Sequence, residues 1–196
     1  MTIHRVIPAV IALILMAGCA SMVSTKEELQ NLSENEGVVI GSVLLTAEKG
    51  KEGESGWAFL KGRKAGELDW SVSIQEAQSI PIPFATTYSI PAIPGKEEIF
   101  IKKLPAGSYN MLRLQPVGLF APKLYLSLVV NFEVKPRQTS YIGKLAVKFP
   151  DRITLGSRVR VDILDAQDET IEKLRGEHSS ILGNTVKDLA TSRTMR

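Results

Sequence analysis

A single cysteine, Cys19, and two histidines, His4 and His178, are the whole supply of thiol and imidazole in this 196-residue chain. One cysteine permits no internal disulfide, so the fold must stand on its apolar core. His4 and Cys19 both fall in an N-terminal stretch that reads as a signal and its cleavage site, which leaves His178 alone and no zinc site of the usual His/Cys kind. No block of basic residues occurs, and the net charge of +3 arises from interspersed signs, which gives no footing for nucleic acid. A nucleophilic serine would need a Gly-x-Ser-x-Gly elbow, and none is present. The glycines at 50, 53 and 56 lack the Gly-Lys-Ser/Thr ending of a phosphate-binding loop and read as a hairpin tip. No cofactor, no metal and no catalytic residue are therefore expected.

What the chain does have is a run of 18 uncharged residues, Val6 to Val23, directly after His4 and Arg5. The order is a short basic start, an apolar stretch to Met16, and small residues before a cut. Leu15-Met16-Ala17-Gly18-Cys19 within it resembles a bacterial lipoprotein signal, with Met16 where that family usually carries leucine. The resemblance implies cleavage before Cys19, acylation of Cys19, and attachment to a membrane through its lipid. An uncleaved anchor is the competing reading, since about twenty apolar residues span a bilayer. Pro8, Gly18 and the Cys19-Ala20-Ser21 stretch make a poor membrane helix. Two or three acyl chains hold a protein in effect permanently, at about 0.8 kcal/mol per buried methylene. Ala20, in place of the aspartate that retains such proteins in the inner membrane, implies the periplasmic side of the outer membrane.

Cleavage would remove Arg5, leaving 23 basic residues of the original 24 against 21 acidic ones, a balance of +2. From Ala20 to about Glu36 the chain is mostly polar and reads as a flexible tether, with a helical turn possible around Glu27 to Leu32. From Gly37 the period becomes two. Val39, Val43 and Leu45 alternate with Ile40, Ser42 and Thr46, and Leu68, Trp70, Val72 and Ile74 alternate with Asp69, Ser71 and Ser73. Leu124 to Val134 sets six apolar residues on one face, and Tyr141 to Phe149 points Leu145, Val147 and Phe149 inward with Lys144 and Lys148 outward. Further strands are predicted from Glu98 to Lys103, Ser108 to Gln115 and Arg158 to Leu164, joined by proline and glycine turns. Asp165 then caps a short helix from Gln167 to about Arg175.

Many short strands and little helix predict a mainly β fold, an antiparallel β-sandwich of about seven to eight strands with a short C-terminal helix. Lys103-Leu104-Pro105-Ala106-Gly107-Ser108-Tyr109, with Val134-Lys135-Pro136 and Ser140-Tyr141-Ile142-Gly143-Lys144-Leu145 further on, resembles prealbumin-like or carboxypeptidase-regulatory-like sandwich domains of bacterial lipoproteins. The resemblance implies a fold and no activity. The expected organisation is a signal peptide over 1–18, an acylated cysteine and tether over 19–36, the sandwich over 37–176 and a polar tail over 177–196.

Two loops carry apolar residues that strands do not claim, Ile80 to Gly95 and Pro116 to Pro122. Prolines confine the first to an edge or a connection. Phe84, Tyr88, Leu119 and Phe120 then either lid the open end of the sandwich or form a partner-binding patch. Asp162, Asp165, Asp168 and Glu169 are better explained by a strand end and a helix cap than by calcium. His178, in a polar stretch, reads as a solvated loop residue. The leading functional expectation is a non-enzymatic envelope module that binds or scaffolds another envelope protein or a cell-wall component. The alternative is a carbohydrate-active or hydrolytic domain using Asp69, Glu97 or Glu98, which would need two acids facing each other.

Overall fold

Among the described residues, alternating side chains on ten strands build two sheets whose apolar faces meet. A computed structural model describes residues 24–48, 64–77, 87–118, 125–151, 153, 157 and 159–192. The elements are helix α1 (Lys26–Gln30), β1 (Glu36–Glu48), β2 (Trp70–Glu76), β3 (Thr87–Ala92), β4 (Glu97–Pro105), β5 (Gly107–Pro116), β6 (Leu126–Val134), β7 (Thr139–Pro150), β8 (Arg160–Leu164), helix α2 (Gln167–Leu182), β9 (Val186–Lys187) and β10 (Thr191–Ser192). Sheet A runs β4-β1-β7-β8 with β9 also on β7, and sheet B runs β10-β6-β5-β2-β3.

The core between the sheets takes the residues that the two-residue period selects. Val39, Val43, Leu45, Phe100, Leu145, Val147 and Phe149 come from sheet A, and Trp70, Val72, Ile74, Met111, Leu114, Leu128, Val130 and Phe132 from sheet B. Trp70 packs tilted on Phe149 with ring centres 5.3 Å apart, and its indole nitrogen donates to the Ala65 carbonyl at 2.9 Å. The turn motif before β5 is also structural: the Tyr109 hydroxyl donates to the Pro105 carbonyl at 3.0 Å while its ring stacks on Phe132.

The sandwich is not wholly antiparallel as expected. β1 and β7 run parallel from Val38/Thr139 to Glu48/Pro150, and β9 is parallel to β7. The predicted antiparallel arrangement follows from hairpins, but β1 and β7 are joined by most of the domain and no tight turn fixes their direction. A bulge accompanies this pairing. Gly143, at φ 107, lets Ile142 as well as Leu145 enter the core while Tyr141 turns to the opposite face. A Cβ there would lie 2.7 Å from Ile163, so only glycine fits.

The largest departures concern the two ends of the chain. The stretch read as a tether is folded from Ser24 onward. Thr25 and Glu28 form a reciprocal capping box on α1. Leu29 is 2% exposed and joins Val38, Ile40, Ile101, Tyr141, Leu174 and Leu182 in a second apolar cluster. Ser24 is fixed to β4, its amide donating to the Ile101 carbonyl at 3.0 Å and its hydroxyl accepting from the Lys103 amide at 3.1 Å. The C-terminal helix is longer than predicted and lies over the same face of sheet A. Its start uses Asp165, whose Oδ1 accepts from the Gln167 amide at 3.3 Å. The stretch read as a polar tail completes α2 and then adds β9 to sheet A and β10 to sheet B. The apolar residues Leu29, Leu174 and Leu182 are too widely spaced to announce a core by pattern, yet each finds the outer apolar row of β1, β4 and β7.

Candidate functional site

Glu97, at the start of β4, sits beneath α2 on the outer face of sheet A and is the most heavily engaged carboxylate among the described residues. Oε1 accepts from the Ser42 hydroxyl at 2.7 Å and lies 3.1 Å from Lys144 Nζ. Oε2 accepts from Lys173 Nζ at 3.0 Å, and Lys173 also donates to Glu169 at 2.6 Å. Burial alone would raise the Glu97 pKa. The Ser42 hydroxyl, Lys173 and Lys144 outweigh it and hold the group down to about 2. Two lysines balance Glu97 and Glu169 in a neutral network that fastens α2 to sheet A, and the low pKa keeps Glu97 ionised and poorly suited to donate a proton.

Its neighbour Glu98 leaves β4 on the opposite face, in register with the core residue Val43. Glu98 Oε1 lies 2.7 Å from Lys96 Nζ without forming a well-aligned hydrogen bond. Asp69 is exposed beside β2. The three candidate acids thus stand apart and form no facing pair. Among the described residues, no group of three His, Cys, Asp or Glu side chains is arranged to hold a metal. Asp165 is engaged elsewhere, with its Oδ2 2.6 Å from Lys187 Nζ, and that contact holds its carboxyl below the usual range.

His178 is not a solvated loop residue. It is 6% exposed and lies on α2 between Leu174 and Leu182, one turn from each on the helix face toward sheet A. Its backbone, at φ −126 and ψ 22, interrupts the helix. Nδ1 has no hydrogen-bond partner, and Nε2 is 3.8 Å from Glu177. Among the described residues, no serine or aspartate is hydrogen-bonded to its ring.

Two surfaces stand out among the described residues. A cleft of about 430 Å³ lies between the β6–β7 turn and the end of α2, lined by Arg137, Gln138, Thr139, Ser180, Ile181 and Asn184 among others. Arg137 adopts φ 53, its amide donates to the Glu36 carbonyl at 2.7 Å, and its guanidinium reaches Glu34 at 3.0 Å. The second is the outer face of sheet B along β5 and β6, where Arg113 and Ser127 are exposed in one row and Asn110 and Asn131 half-buried in another, while Ser71 and Ser73 on β2 are buried. Arg113 stands over the ring of Tyr125 at 4.9 Å, and Tyr125 is 59% exposed.

Of the predicted partner-binding set, only Tyr88 lies within the described residues. It sits on edge strand β3 opposite Ile74, half-buried against the sandwich core, and burial, with the charge of Glu76, raises its pKa. Phe84, Leu119, Phe120 and the lipid-attachment residue Cys19 lie outside the described residues, as does the glycine-rich stretch around 50–56. Among the described residues, no helix is long and apolar enough to cross a membrane. The cleft joins segments some forty residues apart and had no signal in the sequence. The Arg113–Tyr125 pair was partly visible, because Tyr125 falls on the polar side of the Leu124 to Val134 alternation. No family model, no curated protein and no solved structure matches this chain.

Proposed function

We infer that this is a lipid-anchored protein of the bacterial envelope, held through Cys19, whose sandwich domain binds or scaffolds another envelope component without catalysing a reaction. The observation that carries the reading is the sequence Leu15-Met16-Ala17-Gly18-Cys19 at the end of an uncharged run, with the only cysteine of the chain at the point of acylation. Ala20 favours the outer membrane, facing the periplasm. The domain agrees with a binding role in one respect. Its best-placed carboxylate, Glu97, is consumed by structural ion pairs, whereas the outer face of sheet B offers hydroxyls, amides and an Arg–Tyr pair to a partner.

The test is mass spectrometry and fractionation of the protein from cells, beside Cys19→Ala. The reading expects a mature N-terminus at Cys19 carrying acyl mass, membrane retention, and release of Cys19→Ala to the soluble fraction or its retention as uncleaved precursor. An unmodified Cys19 in a full-length chain would overturn it. Crosslinking in cells then identifies the envelope protein or glycan it holds.

A further inference from the structure

The distance between Cys19 and the first residue bonded to the domain is short. Ser24 is five residue steps from Cys19, and a fully extended chain covers at most about 3.3–3.6 Å per residue, so the span cannot exceed roughly 18 Å. Ser24 is not loose: it exchanges backbone and side-chain hydrogen bonds with Ile101 and Lys103 of β4. The next turn, α1, is capped at Thr25 and buries Leu29 on sheet A. β4 is the edge strand of that sheet, with β1, β7 and β8 succeeding one another away from it. At about 4.8 Å per strand, the β8 edge lies some 14 Å farther from the attachment point.

We propose that the domain is held with the β4 edge of sheet A against the lipid surface, with the β8 edge directed away from it. The proposal rests on acylation of Cys19 and adds to it an orientation that a 17-residue flexible tether would not impose. Under it, Lys96 and Lys103, which stand on or just before β4, lie on the membrane side. The exposed Leu164, on β8, and Val186 and Leu189 in the segment beyond α2 remain available to a partner.

The acylated full-length protein has its one cysteine occupied, so an introduced cysteine is a unique labelling site. Lys96→Cys on the β4 side and Leu164→Cys on the β8 edge are each labelled with an environment-sensitive dye. Each is then reconstituted into phosphatidylethanolamine/phosphatidylglycerol vesicles carrying a headgroup nitroxide quencher. The proposal expects quenching several-fold stronger at 96 than at 164, and loss of that contrast in a Leu29→Asp background, where α1 is released. Equal quenching at both sites on vesicle-bound protein would overturn the orientation and leave the anchor standing. A free thiol at Cys19, or failure of the native protein to stay on vesicles, would overturn the anchor itself and the orientation with it.

Discussion

The outer face of sheet A carries Val38, Ile40, Ile101 and Tyr141 beneath two helices, whereas the outer face of sheet B carries serine, glutamine and asparagine rows with no described helix upon them. Both sheets turn similar apolar rows toward each other, so the inward pattern does not distinguish them. The outward pattern does. A sheet apolar on one side satisfies itself with a single partner, and a sheet apolar on both sides needs a third layer. Here the chain supplies that layer from its own ends, with α1 arriving before β1 and α2 following β8. Among the described residues, helices thus cover the outer face of sheet A and none covers that of sheet B, where Arg113, Gln115 and Ser127 are exposed.

The contrast breaks most severely at Tyr141. It is fully buried under the helical layer, and its hydroxyl accepts from the Ala166 amide at 3.0 Å just before α2. Tyr141→Ala should cost about 3–5 kcal/mol by the measure of large aromatic truncations, read from denaturant unfolding. Leu174→Ala removes the matching contact from the helix side, and about 2–3 kcal/mol is expected, with α2 signals lost in circular dichroism before those of the sheets. Glu97→Gln tests the ionic fastening of the same layer and should cost roughly 1–3 kcal/mol at neutral pH.

The Glu97 network also sets a pH signature. Its folded pKa of about 2 lies below the ordinary value of 4.5, so its contribution is complete above about 4.5 and is lost as pH falls from there toward 2. Wild type should therefore lose stability faster than Glu97→Gln over that window in acid titration, and parallel curves would contradict the assignment. The smallest effect is expected at the exposed positions of sheet B, where Gln115→Ala or Ser127→Ala should change stability by less than about 0.5 kcal/mol.

The inward halves of the strands were legible because alternation survives in any half-buried sheet, and Leu126, Leu128, Val130, Phe132 and Val134 all stand in the core. The third layer has a fainter mark, in the runs Val38-Val39-Ile40 and Ile99-Phe100-Ile101. Three consecutive apolar residues in a strand mean burial on both faces. The ends that cover them hid their role, since α1 has five residues and contributes mainly Leu29, and α2 is polar over most of its surface. The burial of His178 has no mark in its polar neighbours Glu177, Ser179 and Ser180, and comes from its place between Leu174 and Leu182 at the kink in α2. Parallel pairing of β1 and β7 cannot be inferred from local pattern, because nothing near either strand encodes its partner. Of the candidate surfaces, the polar side of β6 was visible and the cleft at Arg137 was not.

The central claim is that the chain preceding β1 belongs to the folded domain. It is tested most directly by denaturant unfolding of a soluble chain beginning at Ala20 against one beginning at Ser33, which lacks Ser24, Leu29 and Leu32. Loss of one fully buried leucine and its neighbours predicts a destabilisation of about 2–3 kcal/mol with a lower midpoint and a similar slope. Coincident unfolding curves would show that residues 20–32 are a tether after all, and would contradict the account.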